Sequence, residues 1–450
     1  MTYFAEYAQL PSGLARDVLF TVADGRFAAV KTGAAAGRAQ RLPGVVLPGF
    51  ANTHSHAFHR AIRGRTHADG GTFWTWRDRM YAVAARLDPD SYLALARATY
   101  AEMALAGVTS VGEFHYLHHA PGGVRYTDPN AMAEALRHAA LEAGIRLTLL
   151  DTCYLAGGLD ATGHAPLTGP QLRFGDGNAE EWAVRVEQLT PSAETVIGAA
   201  IHSVRAVPAD QLTVIKAFAG AAPLHVHLSE QPAENAACQS FYGCTPTELL
   251  DAAGALGPSS TAVHATHLSA ADVATLGRTR TTVCLCPTTE RDLADGIGPA
   301  RALSDAGCRL SLGSDQHAVI DPLEEAHALE MHERLNSRER GRFSNGQLLA
   351  AITDHAGIGW PETGRLEVGA TADLVAVRLD TVRTAGTVAE QVLLSATAAD
   401  VDTVVVGGRI VVHAGQHRLG DVGRLLDSAI RPLWENRDVG SADRHRRAGD

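Results

Sequence analysis

The chain has 450 residues, of which 46% are hydrophobic and 20% charged, and a formal net charge of −11. That acidic balance argues against nucleic acid as a partner, yet it leaves room for a small anionic substrate, because a pocket can carry the opposite local sign. No run approaches the roughly 18 apolar residues of a membrane span. The start "MTYFAEYAQLPSG" has no basic segment followed by an apolar core, and the six cysteines are scattered, so a reducing cytoplasm is expected.

In chain order, "DVLFTVADGRFAAVK" (17–31) reads as two short strands about the turn "ADGR". The pattern then changes to apolar strands alternating with helical stretches. The strand candidates are "GVVLPGF", "VTSVGEFHY", "IRLTLLDTCY", "TVIGAAIHS", "PLHVHLSE", "TAVHATHL", "TTVCLCP" and "RLSLGSD". Stretches such as "DSYLALARATYAEMALAG" and "PNAMAEALRHAALEAG" start at Asp or Pro and end at Gly, as helix caps require. Eight strands with helices between them predict the α/β class and a (β/α)8 TIM-type barrel. Beyond it, "GATADLVAVRLD" (369–380) and "VDTVVVGGRIVVHAG" (401–415) return to strands with glycine-rich turns. The expected division is 46–364 for the barrel, with 1–45 and 365–420 as the two parts of a small β-sandwich domain. Residues 421–450 are expected to form a C-terminal helix and a disordered tail, "VGSADRHRRAGD". Cys284 and Cys286 sit in an alternating strand pattern and read as buried thiols.

In such a barrel the active site lies where the strands end. Here those ends carry ligand-type side chains. "NTHSHAFHR" puts His54 and His56 two apart, on one face of an extended segment. The fifth strand ends in His225, His227 and Glu230, the sixth carries His264 and His267, and the eighth leads to Asp315. One such residue alone would be structural; four strand ends of this kind point to a metal. Three histidines and a carboxylate leave a coordination position for water, the open geometry of a catalytic zinc site.

"HSH" at the first strand, "H-x-x-E" at the fifth, His at the sixth and "GSD" at the eighth resemble the amidohydrolase superfamily, across essentially the whole chain. The runs "HSHAFHRAIRGRT", "FWTWRDRMY", "GEFHYLHH", "HSVRAV", "CPTTERDLADGIGP" and "GSDQHAVIDPLEE" are similar to the formimidoylglutamate deiminase family. That family hydrolyses N-formimino-L-glutamate to N-formyl-L-glutamate and ammonia in histidine degradation. The resemblance implies His54, His56, His227 and Asp315 as metal ligands, and Glu230 and His264 as the proton-handling pair, with Asp315 accepting a proton from water. Position 59 departs from it: Gln is expected there and His59 stands in its place, a side chain able to carry charge.

His225 reads as an interior barrel residue and His267 as a surface or supporting one. His115, His118 and His119 read as pocket wall or as support for the ligands. A second metal would need a bridging lysine or carboxylate. Lys31 and Lys216 lie in the terminal strands and a helix, and Glu113 is the remaining, weak candidate, so one divalent ion, zinc by preference, is expected. Arg77 and Arg205 are placed at the barrel mouth, where the planar guanidinium grips carboxylates two-pronged. His59, Tyr116 and His202 would add donors to the substrate. The bland alternative for either arginine is an ion pair with a neighbour such as Asp78. A homodimer acting on a small anionic substrate is expected. The rival readings are a deaminase of a heterocycle such as guanine, whose pocket would favour stacking over arginines, and a non-catalytic barrel, which would have lost ligands.

Overall fold

The computed structural model describes residues 1–67 and 73–435, and the tail expected at 439–450 lies outside the described residues. Eight strands form the barrel sheet: β1 Phe50–Ser55, β2 Val108–His115, β3 Arg146–Cys153, β4 Thr195–Ile201, β5 Leu224–Leu228, β6 Ser260–His264, β7 Thr282–Leu285 and β8 Leu310–Leu312. They neighbour one another in chain order, and every pair is parallel. Their residues are almost all buried, as expected of strands covered on both faces by helices.

The ring is joined at the rim. Ser55 bridges Asp315 in parallel, Asp315 N–H donates to the His54 carbonyl at 3.0 Å, and His56 N–H donates to the Asp315 carbonyl at 3.1 Å. The join requires Gly313, because a Cβ there would sit 2.7 Å from the His54 Cβ. The sequence thus uses one backbone ladder both to close the barrel and to set two histidines against Asp315.

The capped helical patterns appear as expected. Asp88 caps Pro89–Leu105 through a reciprocal pair with Ser91, and Ala131–Ala143 stops at Gly144, whose φ of 84° suits a residue without Cβ. Asp321 caps Pro322–Ser337. Among the described residues no helix is long and apolar enough to cross a membrane.

The chain ends build a second eight-stranded sheet. Its order is Gln416–His417, Arg409–His413, Val401–Val406, Leu374–Val377, Gln40–Pro48, Thr2–Leu10, Gly13–Ala23, Arg26–Lys31. All pairs are antiparallel except Thr2–Leu10 with Gln40–Pro48. One face carries its own core, including Tyr3, Phe20, Phe27 and Leu374. Two expectations change here. "GVVLPGF" is not the first barrel strand: Val45–Pro48 pairs with Leu374–Val377 in the terminal sheet, and the barrel strand starts at Phe50. The break falls at Gly49, where a Cβ would lie 2.5 Å from Thr109 Oγ1. Thr2–Leu10 is a further strand, hidden in sequence because Glu6 and Gln9 interrupt its apolar pattern.

Candidate active site

His54 and His56 leave β1 with their rings edge to face, centroids 4.7 Å apart. His227, the penultimate residue of β5, brings its Nε2 to 3.1 Å from His54 Nε2. Asp315 Oδ1 lies 3.3 Å from Nε2 of both His54 and His56. Donors bonded tetrahedrally to zinc at about 2.0–2.1 Å are separated by roughly 3.3 Å, so these edges fit one such ion. The tautomers fit too. His56 Nδ1 is 2.9 Å from the Phe114 carbonyl and His227 Nδ1 is 2.9 Å from the His202 carbonyl. A carbonyl only accepts, so each Nδ1 is the protonated nitrogen and each Nε2 turns a lone pair to the centre.

Burial moves the charges the same way. It lowers His54 to about 3, against the pull of Asp315, and holds His227 well below its ordinary value. Burial alone would raise the Asp315 carboxyl, but the neighbouring His54 and His56 outweigh it and keep the group well below the usual carboxylate range. Four buried donors, one of them an anion, form a cation site. Ser229, His264 and Asp315 all have left-handed φ, of 50°, 68° and 41°. Strain of this kind persists where the surroundings over-determine it, at sites of function.

Beside the donors, His264 Nε2 lies 3.9 Å from Glu230 Oε1, and its Nδ1 lies 3.5 Å from Glu290 Oε1. Burial alone would lower His264; Glu230, Glu290 and Asp315 outweigh it and push the ring up to about 10. Glu290 was not foreseen as part of the site. Its signal was available: it stands in the first turn of the helix Pro287–Asp292, directly after β7, and its carboxylate also accepts the Cys286 N–H at 2.9 Å.

These groups face a cavity of about 260 Å³. His56, His59, Arg77, Tyr116, His202, Arg205, His227, Glu230, His264 and Asp315 line it, so ten of the eleven expected site residues converge there, with His54 fully buried behind them. Arg77 sits on the helix Phe73–Ala84, its guanidinium 5.6 Å from the Tyr81 ring centroid. Arg205 does not stand alone at the mouth. Its Nη2 bonds Glu230 Oε2 at 3.2 Å and its Nε lies 3.2 Å from Glu234 Oε2. His59 places Nε2 2.8 Å from the Tyr116 hydroxyl. Burial, then the neighbouring His56, hold it well below its ordinary range, so the charge its identity allows is suppressed.

Other expectations separate from the site. Glu113 accepts from Ser55 Oγ and Ala57 N–H, both at 2.6 Å, and so ties the exit of β1 to β2. His225 is buried and bonds the Gly357 carbonyl, an interior residue as expected. His115, His118 and His119 are not cavity wall: they are sealed behind β2 and β3, next to Asp151, Asp176 and Arg185.

Residues 45–411 match the amidohydrolase family, and residues 2–44 match the formimidoylglutamate deiminase HutF N-terminal domain. The chain is 38% identical to a formimidoylglutamate deiminase of Pseudomonas aeruginosa, over 92% of this chain and 95% of the relative. It is 29% identical to an 8-oxoguanine deaminase of the same species, over 81% of each. Among solved structures, an amidohydrolase from Brucella melitensis superposes with a TM-score of 0.89 at 33% identity, covering 96% of this chain and 99% of that one. An adenosine deaminase from Xanthomonas campestris with bound zinc gives 0.81 at 22% identity over 96% and 97%, a likeness of fold. The chain belongs to the amidohydrolase family and, within it, to the formimidoylglutamate deiminases.

Proposed function

We propose that this chain hydrolyses N-formimino-L-glutamate to N-formyl-L-glutamate and ammonia, in the cytoplasm and as a homodimer, with one zinc ion held by His54, His56, His227 and Asp315. It is a hydrolase acting on a carbon–nitrogen bond. The observation that carries the substrate is the 38% identity to a formimidoylglutamate deiminase over nearly all of both chains. The fit of the ion rests on the donor edges of 3.1–3.3 Å and the outward-bonded Nδ1 atoms.

A divalent ion in this donor set supplies Lewis acidity and brings the pKa of a water towards neutrality. The residues do the rest. Asp315, held ionised, accepts the proton that the attacking water gives up. A protonated formimino group is cationic, so the Glu230 carboxylate holds it and relays a proton to the departing nitrogen. His264, kept protonated by Glu230 and Glu290, stabilises negative charge developing on the attacked carbon's oxygen. Arg205 steadies Glu230 and offers its remaining amino group to a substrate carboxylate, and Arg77 serves the second carboxylate. Tyr116, His59 and His202 complete the wall as neutral donors.

Ammonia release from N-formimino-L-glutamate, set beside guanine and 8-oxoguanine, tests this reading. We expect kcat/KM for the formimino diacid to exceed either purine by ~10³-fold or more, since a site built for charged groups rejects analogues that leave them unpaired. A purine preferred over the diacid overturns it.

A further inference from the structure

Gln171, in the helical turn Gly169–Arg173, does not line the cavity but touches three residues that do. Its orientation is fixed. Oε1 accepts the Thr168 N–H at 3.3 Å, so Nε2 is the atom that points the other way. There it meets the Tyr81 hydroxyl at 3.0 Å, the Gly157 carbonyl at 3.1 Å and the Tyr154 hydroxyl at 3.3 Å. Gly157 permits this approach, because a Cβ would stand 2.9 Å from Gln171 Oε1 and 2.5 Å from the Pro166 carbonyl. The amide nitrogen can only donate. It has two hydrogens for these three acceptors, so one is shared, and neither phenol spends its own proton on the amide. The two hydroxyls also neighbour each other, so if one gives its proton to the other, the second still has one to offer. Burial pushes Tyr154 up, so it stays a neutral donor.

Tyr81, Tyr154 and Arg77 share one part of the cavity wall, with the Arg77 guanidinium over the Tyr81 ring. Other rings stand between that part and the metal ligands, with His202 between Tyr154 and His227 at 4.2 and 5.1 Å. Ring contacts run from His56 to Tyr116 at 5.2 Å, Tyr116 to Phe174 at 5.1 Å, and Phe174 to Tyr81 at 6.2 Å. In N-formimino-L-glutamate the side-chain carboxylate is the acid group farther from the reacting carbon. We propose that Gln171 is a positioning residue that leaves the Tyr81–Tyr154 hydroxyl pair with a proton to turn into the cavity, where, beside Arg77, the pair takes the side-chain carboxylate of the substrate. The proposal rests on the diacid reading above and assigns one end of that substrate.

The test compares kcat and KM for N-formimino-L-glutamate and N-formimino-L-norvaline, which has a methyl group where glutamate has its carboxylate. Gln171→Glu keeps the acceptor for Thr168, but its second oxygen draws in both phenol protons and adds like charge. It should raise KM for the diacid by ~10-fold or more, with a smaller fall in kcat, and lower the diacid-to-norvaline ratio of kcat/KM by a similar factor. Gln171→Leu should lower the ratio less, because it removes the aim without adding a charge. Should Gln171→Glu fail to fold, Tyr81→Phe with Tyr154→Phe decides, since both rings remain and the ratio should still fall. Equal losses on both substrates, or an unchanged ratio, would make Gln171 a structural strut and overturn the subsite while leaving the deimination reading intact. Wild-type enzyme inactive on both formimino compounds would sink the reading and the subsite together.

Discussion

Two buried clusters in this molecule pair three histidines with carboxylate, and they differ in where the positive charge comes from. At the barrel rim, His54, His56 and His227 aim lone pairs at a common point beside Asp315, and among the described residues no arginine or lysine bonds that carboxylate. Behind β2 and β3, His115, His118 and Asp151 bring donor atoms close enough together to hold an ion. There Arg185 already occupies the acids: it donates to Asp151 at 2.8 and 3.0 Å and to Asp176 at 2.9 and 3.0 Å. Trp182 adds a bond to Asp151, His119 pairs with Asp176, and His118 bonds the Thr152 carbonyl. The same residue types thus make a cation site in one place and a finished ion-pair network in the other. A resident guanidinium separates them.

The contrast can be broken at either end. Asp315→Asn should strip most of the metal and lower kcat/KM by ~10³-fold or more. Elemental analysis beside the ammonia assay reads it, and an active, metal-loaded variant would remove Asp315 from the ligand set. Arg185→Met leaves Asp151 and Asp176 buried without the guanidinium that offsets their charge, which typically costs ~3–5 kcal/mol. Denaturant unfolding should show that loss with the metal content kept, whereas metal lost alongside stability would mean the two clusters are one system. Glu230→Gln should keep the metal and lower kcat by ~10²-fold or more; loss of the ion would make Glu230 a ligand.

Arg205→Met should lower kcat/KM by roughly 10²-fold and reach kcat as well as KM, because the arginine holds Glu230 in addition to substrate. A change in KM alone would leave it a substrate clamp. The smallest effect is that of acid. Burial alone would raise Asp176, but hydrogen bonds from His119 and the charge of Arg185 hold it below the usual carboxylate range. A depressed carboxylate stabilises the fold above its unfolded value of about 3.9, and that share is lost as pH falls towards its folded value. The stability gap between wild type and Arg185→Met should therefore narrow between about pH 5 and pH 3. A gap independent of pH would mean that the pair's charge contributes nothing.

Much of this candidate site could be read in the chain because its proposed residues sit at strand ends, where local pattern and position coincide: His54 and His56 after an apolar run, Glu230 three residues past His227, Asp315 in "GSD". What could not be read was pairing across the ring. Nothing local to Arg205 announces Glu230 and Glu234, which are brought to it only when β5 lies against β4. "FHYLHH" looks like ligands until Arg185, from another helix, reaches the acids beside it. The run "GVVLPGF" was divided between two sheets because apolar alternation marks a strand without naming its partner. Gln171 carried no signal, since its role lies in the direction of one amide.

Stepwise addition of zinc to metal-free protein, with ammonia release from N-formimino-L-glutamate followed at each addition, tests most directly that one ion in the His54, His56, His227 and Asp315 set supports the reaction. We expect activity to rise from near zero and to break sharply at one equivalent per chain, with no break in His227→Ala. Full activity before any zinc is added, or a break at two equivalents, would contradict it.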